Sequence, residues 1–202
     1  MRPKVAIIDF GVGNLRSAQK AFELSGANAI IVKDQDTLNT CDAIVLPGVG
    51  AFCDAMNNLN PFNKLLIENS KDKLIFGICL GMQLFFEQSE ENGLHKGLKL
   101  MKGGVIKLPN NVKIPHIGWN TIDIKTENNL LKGVKSKEYF YFVHSYYALP
   151  SEEITLATTH YGAEIPAVVS KGNILGTQFH PEKSGKAGLR IIDNFVDLVR
   201  EM

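Results

Sequence analysis

Three short stretches carry residues suited to acyl-transfer chemistry. Gly77-Ile-Cys79-Leu-Gly81 sets a cysteine between two glycines, after the apolar run Lys73-Leu-Ile-Phe-Gly-Ile78 and before the helical pattern Met82-Gln-Leu-Phe-Phe-Glu87. A strand that turns sharply into a helix at G-x-C-x-G is a nucleophile elbow with Cys in place of Ser. Its glycines permit the tight turn and keep side chains away from the sulfur. A helix N-terminus and a nearby imidazole would both favour the thiolate. The pentapeptide alone also fits a buried cysteine in a glycine-flanked turn.

A nucleophile of this kind needs a base, and the base needs an orienter. Gln178-Phe-His180-Pro-Glu182 offers both, His180 as base and Glu182 as orienter. In an extended chain, residues two apart share a face, so one strand end could present the pair. Pro181 stiffens the link. A single histidine is more often structural; its position after an elbow cysteine is what favours the catalytic reading. A tetrahedral oxyanion needs two donors. One would be the N–H of Leu80, and the other would come from Pro47-Gly48-Val49-Gly50, which otherwise reads as a plain turn.

Other motifs are weaker. Gly11-Val-Gly13-Asn-Leu-Arg16 resembles the start of a dinucleotide fingerprint, but Arg16 stands where the third glycine belongs. It reads as a tight turn at a strand's carboxyl end, where Asn14 could face a ligand or partner. The five histidines are scattered, with neither H-E-x-x-H nor C-x-x-C, so no metal and no cofactor is expected. The run Tyr139-Phe-Tyr-Phe-Val-His-Ser-Tyr-Tyr147 reads as a strand packed on both faces, whose hydroxyls and His144 could reach a site.

The elements that must position these residues follow a βαβ rhythm up to the elbow. Strands are expected at Lys4–Phe10, Asn28–Val32, Asp42–Leu46 and Leu74–Ile78. Helices are expected from Leu15, around Asp54–Leu59 and at Phe62–Asn69. After about residue 97 strands follow one another: Gly104–Leu108, Asn120–Ile124, Tyr139–Tyr146, Ile154–His160, Ala167–Ser170 and Ile174–Phe179, with Lys171-Gly172 as a hairpin turn. A last helix runs from Lys186 to Arg200, with Leu189, Ile192, Val196 and Val199 on one face and Ser184 as its cap. The expected fold is α/β: a doubly wound, mostly parallel central sheet with flanking helices and an additional antiparallel β-region in the C-terminal half. No repeat or linker divides it, so residues 1–202 read as a single domain.

Composition excludes several classes. A net charge of +1 gives no reason to expect nucleic acid or an anionic membrane as partner. No apolar stretch approaches the roughly 18 residues of a membrane span. Met1-Arg-Pro-Lys4 leads straight into a strand, without a signal-peptide pattern. Cys41, Cys53 and Cys79 are an odd set without paired spacing, which points to a reducing, cytoplasmic setting.

In this order, Pro47-Gly-Val-Gly50, Gly77-Ile-Cys-Leu-Gly-Met-Gln83 and Gln178-Phe-His-Pro-Glu182 resemble the class I glutamine amidotransferases, with their Cys-His-Glu triad. Pro115-His-Ile-Gly-Trp-Asn120 and Tyr139-Phe-Tyr-Phe-Val-His-Ser-Tyr146 are similar to the subfamily of glutaminase subunits that serve imidazole glycerol phosphate synthases in histidine biosynthesis. The resemblance covers essentially the whole chain, from Asp9-Phe-Gly-Val-Gly-Asn14 to the last helix. It implies Cys79 as nucleophile, His180 as base and Glu182 as orienter. Gln83, Glu91, Ser145 and Tyr146 would hold glutamine, Glu91 facing its α-ammonium. Gly48, Val49 and Gly50 would belong to the oxyanion strand, which can rotate in the family, and the N–H of Leu80 after the nucleophile would be the other oxyanion donor. Asn14, Trp119, Asn120 and Lys183 match positions at or near the partner interface. The implied partner is a separate (β/α)₈-barrel synthase subunit that receives ammonia, in a heterodimer. Two rivals keep part of this chemistry: the same glutaminase feeding another synthase, such as one amidating a sugar, and a stand-alone cysteine hydrolase. A non-catalytic module that has kept the fold is a third.

Overall fold

The computed structural model describes residues 2–11 and 13–202; Met1 and Val12, which the N-terminal and glycine-turn readings include, lie outside the described residues. The elbow strand sits in the middle of an eight-stranded sheet. The chain enters through β1 (Lys4–Ile8), α1 (Leu15–Leu24), β2 (Asn28–Val32), α2 (Gln35–Asn39), β3 (Ala43–Gly48), α3 (Phe52–Leu59), α4 (Asn63–Asn69), β4 (Leu74–Cys79) and α5 (Leu80–Gln83). It continues through β5 (Gln88–Ser89), β6 (His95–Lys96), β7 (Gly103–Lys107), β8 (His116–Thr121), β9 (Asp123–Ile124), β10 (Tyr139–His144), β11 (Tyr146–Pro150), β12 (Thr155–His160), β13 (Glu164–Lys171) and β14 (Ile174–Thr177) to α6 (Gly185–Arg200). The main sheet has the order β2-β1-β3-β4-β14-β13-β12-β9. Its first five strands are parallel, and β13, β12 and β9 run antiparallel. Two smaller sheets, β10-β8 and β11-β7-β5-β6, flank it.

The continuous apolar runs follow from burial on both faces. Val5 and Ile7 of β1, Val45 of β3, and Phe76 and Ile78 of β4 pack with Phe22 of α1 and Ile192 and Phe195 of α6. The alternate residues Ala6, Ile8, Ile44, Leu46 and Ile75 pack with Phe52 and Leu59 of α3 and Leu66 of α4. Phe76 stacks on Phe195 with ring centroids 5.0 Å apart. A sheet covered in this way has its ligand crevice at the carboxyl ends of its parallel strands, where both β3 and β4 deliver their motifs.

Four expectations need correction. The helix after the elbow spans only Leu80–Gln83. The carbonyls of Leu84, Phe85 and Phe86 are taken by the N–H groups of Leu98 (2.9 Å), Leu100 (2.8 Å) and Lys99 (3.2 Å), so they are lost to a longer helix. The aromatic strand is not packed on both faces: Phe140, Phe142 and His144 are buried, whereas Tyr139, Tyr141 and Val143 look outward. It also breaks at Ser145, because β10 pairs with β8 whereas β11 crosses to β7. Ser184 does precede α6 but does not cap it: its hydroxyl donates to the carbonyl of His180 (2.6 Å) and accepts from the N–H of Tyr141 (2.9 Å).

Candidate active site

Cys79 ends β4 with φ 54° and ψ −108°, a backbone conformation that L residues rarely adopt. Such strain costs on the order of 1–3 kcal/mol and persists only where the surroundings enforce it. Here they do. Gly81 lies so close to β3 that a Cβ would overlap the carbonyl oxygen of Leu46, and a Cβ on Gly77 would sit 2.6 Å from the Met82 nitrogen. The two glycines are thus required by close approach of the backbone on either side of the sulfur. Parallel pairing sets Gly48 of β3 opposite Cys79, which brings the Pro47–Gly50 loop alongside the elbow.

On its other side β4 pairs with β14, Thr177 opposite Ile78. The chain then leaves the sheet so that the N–H of Gln178 bonds Ala167 (2.9 Å) and that of His180 bonds Tyr141 of β10 (2.9 Å). His180 and Glu182 do not share one strand face as expected. Pro181–Lys183 forms a 3₁₀ turn, with Pro181 in its first turn, and this turn brings the carboxylate back onto the ring. Nδ1 of His180 and Oε1 of Glu182 are 2.9 Å apart, with side chains only 2% and 4% exposed.

Burial alone would pull the His180 pKa down. The charge of Cys79 and its hydrogen bonding, then the hydrogen bond and charge of Glu182, outweigh burial and raise it to about 10. The buried Nε2 makes no hydrogen bond among the described residues.

In front of the sulfur is a cavity of about 240 Å³, lined by Val49, Gly50, Cys79, Leu80, Gln83, Glu91, Pro115, Val143, His144, Ser145 and Tyr146. All four expected glutamine-holding residues are there, with Val49, Gly50 and Leu80 of the expected oxyanion site. Gly48 is not in the lining but pairs with Cys79 behind it. Glu91 is held at the rim because its Oε2 accepts the N–H of Phe52 (2.7 Å), capping α3, whose N-terminus has no local side-chain cap. Nε2 of Gln83 donates to the carbonyl of Tyr146 (2.8 Å) and to Oε1 of Gln178 (3.0 Å).

Behind the cavity runs a row of hydrogen bonds that the sequence did not disclose. Nδ1 of His144 lies 3.0 Å from the Tyr146 carbonyl, Nε2 of His144 lies 3.0 Å from Nδ1 of His116, and Nε2 of His116 lies 3.4 Å from Nδ2 of Asn120. The carbonyl can only accept, so each ring must donate from Nδ1 and accept at Nε2. Both rings are neutral near pH 7: burial lowers the pKa of His116 to about 4, and burial, with the repulsion two protonated rings would meet, lowers that of His144 to about 3.

Of the four expected interface residues, Trp119 and Lys183 are exposed, and Asn14 is exposed while capping α1 through Ser17 N–H (3.3 Å). Asn120 is half-buried and its amide is used within the chain, donating to His160 O (3.1 Å) and accepting from Thr121 N–H (2.8 Å). Sequence reasoning missed Gln178, whose Nε2 lies 3.6 Å from the sulfur. Only its place in Gln-Phe-His-Pro-Glu could have signalled it. Among the described residues no cluster of side chains suited to a metal ion occurs, and no helix is long and apolar enough to cross a membrane.

The family model for class-I glutamine amidotransferase matches residues 6–198. The chain is 50% identical over 196 residues to the imidazole glycerol phosphate synthase subunit HisH of Methanocaldococcus jannaschii, covering 96% of this chain and 100% of that one. The subunit of the same name from Caldanaerobacter subterraneus is 48% identical over 200 residues, covering 97% and 98%. Among solved structures, PurLQS from Thermotoga maritima aligns with TM-score 0.78 at 17% identity, covering 98% of this chain and 99% of the matched one. A glutamine amidotransferase from Thermotoga maritima aligns with TM-score 0.70 at 18% identity, covering 100% and 85%.

Proposed function

Since the chain belongs to the class-I glutamine amidotransferases, we infer that it is the glutaminase subunit of an imidazole glycerol phosphate synthase in histidine biosynthesis, acting as one domain over residues 1–202. The observation that carries the reading is the strained Cys79 at the floor of the cavity with the buried His180–Glu182 pair behind it. Hydrolysis then proceeds in two halves. The Cys79 thiolate attacks the side-chain amide carbon of glutamine. The imidazolium of His180 gives its proton to the leaving nitrogen, ammonia departs, and a γ-glutamyl thioester remains. Neutral His180 next takes a proton from water, the resulting hydroxide attacks the thioester, and glutamate leaves as the thiolate returns. Backbone N–H groups of Leu80 and the Gly48–Gly50 loop carry the oxyanion in both halves, each worth about 3 kcal/mol of barrier. Gln83, Ser145 and Tyr146 hold the substrate, and Glu91 meets its ammonium.

Ammonia released into water would mostly be protonated, which is the chemical reason for a docked acceptor. The outward face of β8 and β10 supports a partner there. Ile117 (60% exposed), Trp119 (56%) and Tyr139 (61%) stand on it, and Trp119 lies edge-on to Tyr141 at 6.0 Å. This face adjoins the site, because Val143 of β10 lines the cavity and its carbonyl lies 3.6 Å from the sulfur. Lys183 belongs to the 3₁₀ turn that packs against β10, and Asn14 caps α1, which packs against that same turn. The acceptor is a (β/α)₈-barrel synthase subunit in a heterodimer, and three unpaired cysteines suit the cytoplasm. The test is Cys79→Ala: glutamine-dependent synthesis with the barrel subunit is lost, and synthesis from ammonium salts survives. Glutamine use by the alanine variant would end the assignment.

A further inference from the structure

Gln178 is fully buried beside the elbow, and the orientation of its amide is fixed by its neighbours. The Tyr146 carbonyl is an acceptor only, so the Gln83 atom 2.8 Å from it is the nitrogen. The second hydrogen of that nitrogen points to Gln178 at 3.0 Å, so Gln178 presents its oxygen to Gln83. Its own nitrogen is thereby turned to the Cys79 sulfur, 3.6 Å away. A backbone oxygen two amides distant thus determines what the sulfur sees.

We propose that the Gln178 amide is a fixed hydrogen-bond donor to the Cys79 sulfur that favours the thiolate, a role that rests on Cys79 being the nucleophile. Two groups compete at the sulfur. The Val143 carbonyl, at 3.6 Å, can be served only by the S–H of the thiol. The Gln178 N–H serves either form but binds the anion more strongly, since hydrogen bonds to charged groups are the stronger kind. Gln178 therefore offsets the preference that Val143 gives to the protonated state. Unlike the imidazolium of His180, an amide does not titrate, so its contribution is constant across the working pH range.

The experiment follows the rate of Cys79 alkylation by iodoacetamide against pH, with half-buried Cys53 as internal reference, in the native chain, Gln178→Met and Gln83→Glu. Methionine keeps the length and removes the donor. In Gln83→Glu, Gln178 is intact, but the new carboxylate draws the Gln178 N–H₂ toward itself and leaves oxygen facing the sulfur. In both variants the alkylation midpoint rises by about one pH unit, which slows the reaction near neutrality about tenfold. In the Gln178→Met complex with the synthase, glutaminase kcat falls while KM is little changed, and ammonium-dependent synthesis is unaffected. A midpoint within a few tenths of a unit of native in a cooperatively melting Gln178→Met overturns the proposal. If that variant does not fold, an unmoved midpoint in Gln83→Glu overturns it instead. Failure of the nucleophile assignment is read separately, as glutaminase activity retained by Cys79→Ala.

Discussion

Glu182→Gln is the most informative single change at the site. Its partner nitrogen is 2.9 Å away and both side chains are almost completely buried, so solvent screening is slight. Glutamine is isosteric and can still accept from Nδ1, so the change removes charge and little else. A charge-assisted hydrogen bond contributes about 1.5–3 kcal/mol and a neutral one about 0.5–1.5 kcal/mol. The difference, on the order of 1–2 kcal/mol, corresponds to a drop of about one unit in the His180 pKa. That pKa is raised to about 10 partly by Glu182. The weaker imidazolium holds the thiolate less well and orients worse toward the leaving nitrogen, so kcat falls about 10- to 100-fold. The assay is glutamate release by the synthase complex at saturating glutamine across neutral and alkaline pH, with ammonium-supported synthesis as control. The ionic limb shifts to lower pH in the variant. Unchanged kcat with an unmoved limb would refute the view that this carboxylate supports the imidazolium. Stability gives a second readout. His180 is raised in the folded chain, so its contribution is full below about pH 6.5 and disappears as pH rises through about 10. With the variant's value about one unit lower, both lose this contribution in parallel at first, so the melting difference between native and variant holds to about pH 9 and narrows from there to about pH 10.

Three further outcomes follow from the geometry. Gly81→Ala forces a Cβ into the Leu46 carbonyl, and because the obstacle is backbone the cost is at least about 3 kcal/mol; a melting temperature lowered by less than about 5 °C would contradict the packing. His116 and His144 are neutral in the folded chain down to about pH 4 and about pH 3, whereas in the unfolded chain they bind protons below about 6.5. Stability measured by urea therefore falls with acidification from about pH 6.5, by up to about 2.7 kcal/mol per pH unit for two protons, and a flat profile from there to pH 5 would count against their burial. Trp119→Ala, on an exposed strand face, leaves melting nearly unchanged and weakens synthase binding by about 2 kcal/mol or more; equal affinity by titration calorimetry would remove this face from the interface.

The parallel half of the sheet was readable because strands covered on both faces become unbroken apolar runs, and Asn28–Val32 matches its reading to the residue. The elbow was readable because a strained cysteine needs its glycines in fixed places. The later strands were harder. Tyr139–Tyr147 keeps its apolar pattern while changing partner sheet at Ser145, and pairing partners leave no trace in periodicity. The length of α5 depends on who takes the carbonyls of Leu84–Phe86, which is decided by residues 98–101, far along the chain. Helix α2 went unread, although Asp34 capping Thr37 N–H at 2.8 Å is a local signal. Within the site, Cys79 of the elbow lines the cavity and His180 pairs with Glu182 of the His-Pro-Glu motif. The amide and imidazole neighbours that orient them were silent, because a buried polar side chain is defined by its partners and those come from distant segments.

The row from Asn120 through His116 and His144 to the Tyr146 oxygen has a consequence for proton traffic. Every donor in it points the same way, and it begins at an amide that does not surrender hydrogen at any working pH. No hydron can enter at the outer end, so the row is a strut and not a conduit. It bears on an oxygen that also steadies Gln83. On the proposed mechanism, acid equivalents exchanged during turnover then stay with the sulfur, His180, glutamine and the hydrolytic water, because neither imidazole of the row is charged near neutral pH.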